Sequence, residues 1–284
     1  MDDFAVRTDP LTGEVSVIVG RRQGRPNLPS DACPFCPGGL EAPDGYEVRS
    51  FVNRWPPLPD GRAEVVLYAP EHDLRLATLP PTRLQRLVEL WAERTAELGA
   101  RPDVAYVLVF ENCGPEVGAT IAHPHGQIYA FGEVPPAAAR ELEERPCVLC
   151  AEEPGDRLVT QQGGWRAWVP AAATWPYGLL LAPITHTPDL PAAVAAPGGG
   201  LPELIAEVFA RLDRLFGAPM PYMWWWHQRP TDGGAWPAAH LHAHIAPLLR
   251  APGTPRFVAA GELGSGVFFN PLPPELAAAH LRDA

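Results

Sequence analysis

The sequence predicts an α+β fold made of two copies of one unit, each an antiparallel sheet with a single main helix. Three features carry that prediction. One cysteine pair occurs twice, as Cys33-Pro34-Phe35-Cys36 and Cys147-Val148-Leu149-Cys150, offset by 114 residues. A histidine follows each pair at the same distance of 36 residues, and the text around His72 and His186 is alike (Ala-Pro-Glu-His-Asp-Leu at 69–74, Ala-Pro-Ile-Thr-His-Thr-Pro-Asp-Leu at 182–190). Closely spaced histidines then close each copy, His123 and His125 in the first, His240, His242 and His244 in the second. Landmarks that keep one order and nearly one spacing are the mark of an internal duplication. A chain of 284 residues has room for two units of ordinary size. The halves are expected at 1–140 and 141–284, joined near 135–146.

Each element has its own local reason. In the first half, 65–68, 104–110 and 128–131 are apolar runs of strand length. Between them, Leu84, Leu87, Val88, Trp91 and Leu98 recur at helical spacing over 81–98. Pro81 suits the first turn of that helix and Gly99 supplies a stop. In the second half, strands are expected at 165–169, 178–181, 222–226 and 242–246, and the Ala- and Gly-rich stretch 191–200 is expected to be a loop. A second helix carries Leu201, Leu204, Ile205, Val208, Phe209, Leu212, Leu215 and Phe216 and is closed by Gly217.

Composition excludes several classes. The 36 Pro and 26 Gly interrupt too many backbone positions for a long helical bundle or coiled coil. A hydrophobic fraction of 46%, with nine Trp, ten Phe and six Tyr, can fill a large core and argues against disorder. The net charge of −11 makes nucleic acid a poor partner, while leaving room for one local phosphate pocket. No apolar stretch is long enough to span a membrane, and the first ten residues lack the basic and apolar runs of a secretion signal. A cytoplasmic, reducing location is therefore expected, with the five cysteines as thiols or metal ligands.

Two thiolates from a Cys-x-x-Cys turn and two distant imidazoles make a tetrahedral zinc donor set. The first site is expected from Cys33, Cys36, His72 and His123. The second is expected from Cys147, Cys150, His186 and His242, with His240 as the alternative fourth ligand because the spacing drifts there. The count is then two zinc ions per chain. Metal of this kind stabilises folding by clipping a loop. Cys113 has no partner and reads as a small buried side chain.

The segment 110–127 carries the chemistry. His123 and His125 are two apart, so in an extended chain they point to one side. If metal holds His123, a fixed carbonyl there can accept the Nδ1 proton of His125 and leave Nε2 as a positioned nucleophile. Gly126 lets an oxyanion approach backbone amides, and the Gln127 amide and Thr120 hydroxyl can donate to phosphoryl oxygens. Imidazole attack on phosphorus suits a two-step group transfer. The second copy, Leu241-His242-Ala243-His244-Ile245, lacks the Gly-Gln and is expected to be non-catalytic, supporting the structure and supplying substrate contacts.

With these residues the chain resembles the galactose-1-phosphate uridylyltransferases, duplicated nucleotidyl transferases of the histidine-triad superfamily. The likeness runs from Val19 to about Leu281. It rests on Cys-Pro-Phe-Cys at 33–36, Phe-Glu-Asn at 110–112, His-Pro-His-Gly-Gln at 123–127, and Leu-His-Ala-His at 241–244 with Pro-Leu-Leu-Arg at 247–250. Ordinary histidine-triad hydrolases usually carry a third His where Gln127 stands, which favours a transferase. The resemblance implies histidine-triad-like halves, a homodimer, and ping-pong transfer of UMP from UDP-glucose to His125 and on to galactose 1-phosphate. It implies phosphate contacts from Arg22 and Arg25 across the dimer, a nucleotide contact from Asn53, and hexose contacts from Glu111, Asn112, Phe257 and Glu262, with Arg256 in place of a Lys.

Departures from the family are specific. Arg54 replaces a ribose-binding Asp, Gly261 a hexose-side Tyr, and Ala119 a Cys. The best-known members bind iron in the second half through one Glu and three His, one of which matches His227. Here Cys147 and Cys150 imply zinc in its place, as in the related ADP-glucose phosphorylases, to which the stretch 260–266 and Asn270-Pro271 are also similar. An ADP-sugar phosphorylase or adenylyltransferase is therefore the alternative reading, and a non-catalytic zinc-stabilised nucleotide-binding protein the third.

Overall fold

The computed structural model describes residues 4–24, 32–142, 146–196 and 198–284. A separate hairpin, β1 (Phe4–Thr8) and β2 (Val15–Val19), precedes the first half. That half comprises β3 (Arg49–Val52), β4 (Ala63–Leu67), α1 (Pro81–Gly99), β5 (Tyr106–Cys113) and β6 (His125–Phe131). Helices α2 (Pro136–Glu141) and α3 (Val148–Ala151) flank the join, so the expected boundary falls at the end of a helix. The second half comprises β7 (Leu158–Gln162), β8 (Trp165–Trp168), β9 (Leu179–Pro183), α4 (Leu190–Ala195), α5 (Leu201–Leu215), β10 (Tyr222–His227) and β11 (His242–Pro247). A small ribbon, β12 (Leu249–Ala251) with β13 (Thr254–Pro255), leads to α6 (Ala260–Ser265) and α7 (Pro274–Asp283).

The two expected sheets are one. Nine antiparallel strands run in the order β3-β4-β6-β5-β10-β11-β9-β8-β7. Read outward from the centre, β5-β6-β4-β3 mirrors β10-β11-β9-β8, as a duplication with an approximate twofold at the β5–β10 seam requires. Phe110 faces Trp225 across that seam, and Glu111 faces Trp224.

The helices cover one face of this sheet. In α1 the predicted stripe is buried, Leu84, Leu87, Val88, Trp91 and Leu98. In α5, Leu204, Ile205, Val208, Phe209 and Leu212 are buried, and Gly217 takes φ +66°, where a Cβ would be strained. Alternation along β10 sends Tyr222, Trp224 and Trp226 into this layer. Edge-on rings then cross the seam: Trp91 to Trp224 at 5.5 Å, Trp224 to Trp226 at 5.6 Å, and Trp226 to Trp165 at 6.1 Å. Buried Gln228 also crosses between halves, donating to the Val107 carbonyl at 2.9 Å and accepting from the Leu190 amide at 3.1 Å.

Two expectations change. The stretch 191–200 is not all loop, because Asp189 caps α4 by accepting from the Ala192 amide at 2.9 Å. Strands β1, β2, β3 and β7 and helix α7 also lie outside the sequence reading. Among the described residues no helix is long and apolar enough to cross a membrane.

Trp91 is fully buried and touches both Tyr68 and Trp224. Trp91→Ala should cost about 3–5 kcal/mol of stability, read as a lower urea midpoint with an unchanged slope.

Candidate active site

Strand β6 carries the reactive segment, and its entry is clamped. The donor atoms of Cys33, Cys36, His72 and His123 all lie within 4.8 Å of one another. The Cys36 Sγ is 3.4 Å from His72 Nδ1 and 3.6 Å from His123 Nδ1. His123 is buried, and its Nε2 donates to the Ala69 carbonyl at 2.7 Å, which leaves Nδ1 as the ligating nitrogen. The cysteine turn is held by the Tyr46 hydroxyl, which donates to the Phe35 carbonyl at 2.7 Å. Gly39 closes the turn, since a Cβ there would sit 2.6 Å from the Cys33 carbonyl oxygen.

His125 has the expected posture. Its Nδ1 donates to the carbonyl of His123 at 2.7 Å, which fixes the tautomer with the lone pair on Nε2. The edge of Phe35 packs against the ring at 5.1 Å between centroids. Gln127 shares a row across the sheet with Val65, Phe110, Trp225 and His244. Its Oε1 accepts from the Tyr129 hydroxyl at 3.2 Å. Gly126 lies between these side chains but turns to the helix layer, where an added Cβ would lie 2.1 Å from the Tyr68 hydroxyl. The glycine is therefore dictated by the packing behind the strand.

The second half repeats this arrangement. Cys147, Cys150, His186 and His240 form the second Cys–His cluster. The fourth ligand is thus His240, not His242 as expected. His186 to His240 spans 54 residues against 51 from His72 to His123; Trp225 to His240 is 15 residues against 13 from the matching Phe110 to His123, so two of the three extra residues lie in the loop before β11. Cys150 Sγ lies 3.3 Å from His186 Nδ1 and 3.5 Å from His240 Nδ1, and His240 Nε2 donates to the Pro183 carbonyl at 2.9 Å. His242 is the counterpart of His125, its Nδ1 donating to the His240 carbonyl at 2.7 Å.

His242 joins a third cluster, with Glu141, His227 and His244. The Glu141 carboxylate accepts from His227 Nδ1 at 2.5 Å and lies 3.1 Å from His242 Nε2. Burial alone would raise the Glu141 pKa, but the three imidazoles outweigh it and hold the carboxyl well below its usual range. Burial pulls His244 down to about 4, so its imidazole is neutral and able to ligate. A carboxylate and three imidazoles suit a divalent first-row metal. The Cys pair therefore does not replace the Glu-and-three-His set, as the sequence had implied; the chain has both. Glu141 was missed because nothing in the sequence pairs it with histidines 86 to 103 residues away.

The remaining residues separate into distinct places. Arg22 lies half-buried in the short turn Gly20–Gly24, and Arg25 lies outside the described residues. Asn53 follows β3 and turns its Oδ1 to the Trp55 amide at 2.8 Å. Thr120 and Asn112 are half-buried on the approaches to β6 and at the end of β5. Glu111 is a correction. It points into the helix layer, fully buried, and accepts from Trp224 Nε1 at 2.9 Å and the Tyr222 hydroxyl at 3.2 Å, so it cannot meet a hexose. Burial raises its pKa to about 7. Arg256 and Glu262 are buried and paired at 2.5 Å, with Trp175 4.8 Å from the guanidinium, while Phe257 beside them is 76% exposed. Cys113 is partly buried, and burial pushes its thiol up to about 12.

A duplicated fold with one strand-borne nucleophilic histidine defines a histidine-dependent nucleotidyl transferase. The family description "Galactose-1-phosphate uridyl transferase, N-terminal domain" matches residues 56–135, and its C-terminal counterpart matches residues 147–280. A galactose-1-phosphate uridylyltransferase of Thermotoga maritima is 34% identical over 98% of each chain. A solved uridylyltransferase superposes with a TM-score of 0.86 at 30% identity, covering 98% of this chain and 97% of the other. An ADP-glucose phosphorylase from Arabidopsis thaliana shares the fold, with a TM-score of 0.77 at 24% identity and 99% of each chain covered. The chain belongs to the galactose-1-phosphate uridylyltransferase family.

Two predictions follow from the packing behind β6. Gly126→Ala should destabilise by about 1–3 kcal/mol and lower the rate, and Tyr68→Phe in that background should recover part of both in a double-mutant cycle. Glu111 ordinarily titrates at 4.5 and here near 7, so the folded state binds its proton more tightly. Its contribution to stability is full below pH 4.5 and is lost as pH rises through 7. Glu111→Gln should flatten that decline in unfolding free energy measured across the same interval.

Proposed function

We propose that this protein moves UMP from UDP-glucose to galactose 1-phosphate through a covalent uridylyl group on His125. The observation that carries the reading is the 2.7 Å bond from His125 Nδ1 to the carbonyl of His123, which precedes the strand and belongs to a four-donor cluster. In the first step Nε2 attacks the α-phosphorus. A P–N bond forms, the P–O bond to glucose 1-phosphate breaks, and that product leaves with the electron pair. In the second step a phosphate oxygen of galactose 1-phosphate attacks the same phosphorus. The P–N bond breaks, the electron pair returns to Nε2, and UDP-galactose is released.

The chain's own groups divide the work. With its oxygen engaged by Tyr129, Gln127 offers its amide N–H groups to the phosphoryl oxygens that gain charge. Thr120, the Gly126 amide, Arg22 and Arg25 serve the phosphates, Asn53 the nucleoside side, and Asn112, Arg256, Phe257 and Glu262 the hexose side. The two arginines act across a homodimer. Exposed apolar side chains on the β1–β2 hairpin (Val6, Ile18) and at Phe257, Leu263 and Phe269 are suited to covering by a second copy. The two Cys–His clusters hold zinc, whose role is to fix the backbone under the reacting strand. Glu141, His227, His242 and His244 hold a third ion of the kind the family binds with one Glu and three His. A reducing compartment, the cytoplasm, keeps these thiols available.

Incubation with UDP-glucose radiolabelled in the α-phosphate should leave an acid-labile, base-stable label on the protein. His125→Asn should remove the label and cut turnover by roughly a thousandfold or more; a labelled or active variant would overturn the mechanism. The second Cys–His cluster favours an ADP-sugar phosphorylase as the second reading. Rates with UDP- and ADP-glucose, against phosphate and galactose 1-phosphate as acceptors, separate the two.

A further inference from the structure

In the first half, the path from the Cys–His cluster through one backbone carbonyl ends on the nucleophile. In the second half the same path ends on another metal cluster. We propose that the ion held by Cys147, Cys150, His186 and His240 prepares the site formed by Glu141, His227, His242 and His244, so that the two fill in that order. The inference rests on the reading of both clusters as metal sites and is independent of the transfer chemistry.

Two structural links run from the outer cluster to the inner one. His240 presents Nδ1 to the two sulfurs, at 3.3 Å from Cys147 and 3.5 Å from Cys150. Its carbonyl accepts the Nδ1–H of His242 at 2.7 Å. That bond fixes the tautomer, so Nε2 is the nitrogen offered 3.1 Å from both Glu141 Oε2 and His244 Nε2. The second link is the chain itself. Glu141, the one carboxylate of the inner cluster, ends α2 six positions before Cys147, so an ion on Cys147 tethers it within a short length of chain. Both clusters line one cavity of about 230 Å³, where Glu141, His242 and His244 meet Cys147 and His240.

Exposure gives the order its direction. Two of the outer donors, Cys150 and His186, are exposed and none of the inner four is, so an ion from solvent meets the outer donors first. None of the four outer donors belongs to the inner cluster. The inner site takes His242 from the backbone that the outer ion fixes, and Glu141 from a helix tethered to Cys147. Loss of such supporting contacts typically weakens metal binding about 10- to 100-fold.

Metal per chain in the purified full-length protein tests this. Cys147→Ser combined with Cys150→Ser should lose both ions of the second half, and Glu141→Gln only the inner one. A cysteine variant that keeps its inner ion overturns the proposal. Because those cysteines also support folding, the unaltered chain is stripped of metal and titrated with cobalt(II). Thiolate-to-cobalt absorption from the Cys–His clusters should saturate before the thiolate-free ligand-field bands of the inner site grow in. Inner bands that appear first, or in parallel, overturn the order. An inner cluster that binds no ion in any form of the protein removes the metal reading, and the order with it.

Discussion

One short contact organises this molecule: a histidine ring donating its Nδ1 proton to the carbonyl two residues back along a strand. The bond is local, so by itself it would fix only a ring relative to its own backbone. What gives it reach is the preceding histidine, whose ring is held at one nitrogen by a carbonyl and at the other meets the Cys36 thiol of the four-donor cluster. Ring, backbone and neighbouring ring then form one stiff piece. Catalysis by an imidazole nucleophile needs that stiffness, because a freely rotating ring would spend much of its time in the wrong tautomer or direction.

The same piece occurs twice, and the two copies use it differently. His125 stands two residues before Gln127, which pairs with Phe110 across the sheet. At 242 the outward nitrogen faces Glu141, His227 and His244. Gln127 in one copy and His244 in the other occupy matching positions, and Phe110 matches Trp225, which stacks on His244 at 5.1 Å. A neutral amide at that position is no metal ligand of the kind an imidazole is. An imidazole at that position helps make a site for a cation, and the helix that brings Glu141 closes over it.

Much of this was legible in the sequence because it is local or periodic. The stripes of α1 and α5, the Cys-x-x-Cys turns and the His-x-His step each declare themselves within a few residues. The repeat also located His72 and His186, which alone would have meant little. The errors have the opposite character. His242 was placed in the wrong cluster because an insertion before β11 hid which histidine matched His123. Glu141 needed three partners that only the fold brings near. Glu111 sits in a motif whose neighbours face the site, yet strand alternation turns it to the back, and no motif records which face of a sheet a residue takes. The merging of two sheets into one was equally invisible, since edge pairing between halves leaves no periodic trace.

That seam has a consequence for how the chain can vary. Strands β5 and β10 are central only because each shields the other's backbone groups. Parted, each half would present a long unpaired border with its amides and carbonyls bare, the kind of surface that recruits strands from other molecules. A single unit would need a second copy to cover that border, and the tandem chain carries that copy permanently. The two copies were thereafter free to diverge in chemistry, but neither could be discarded.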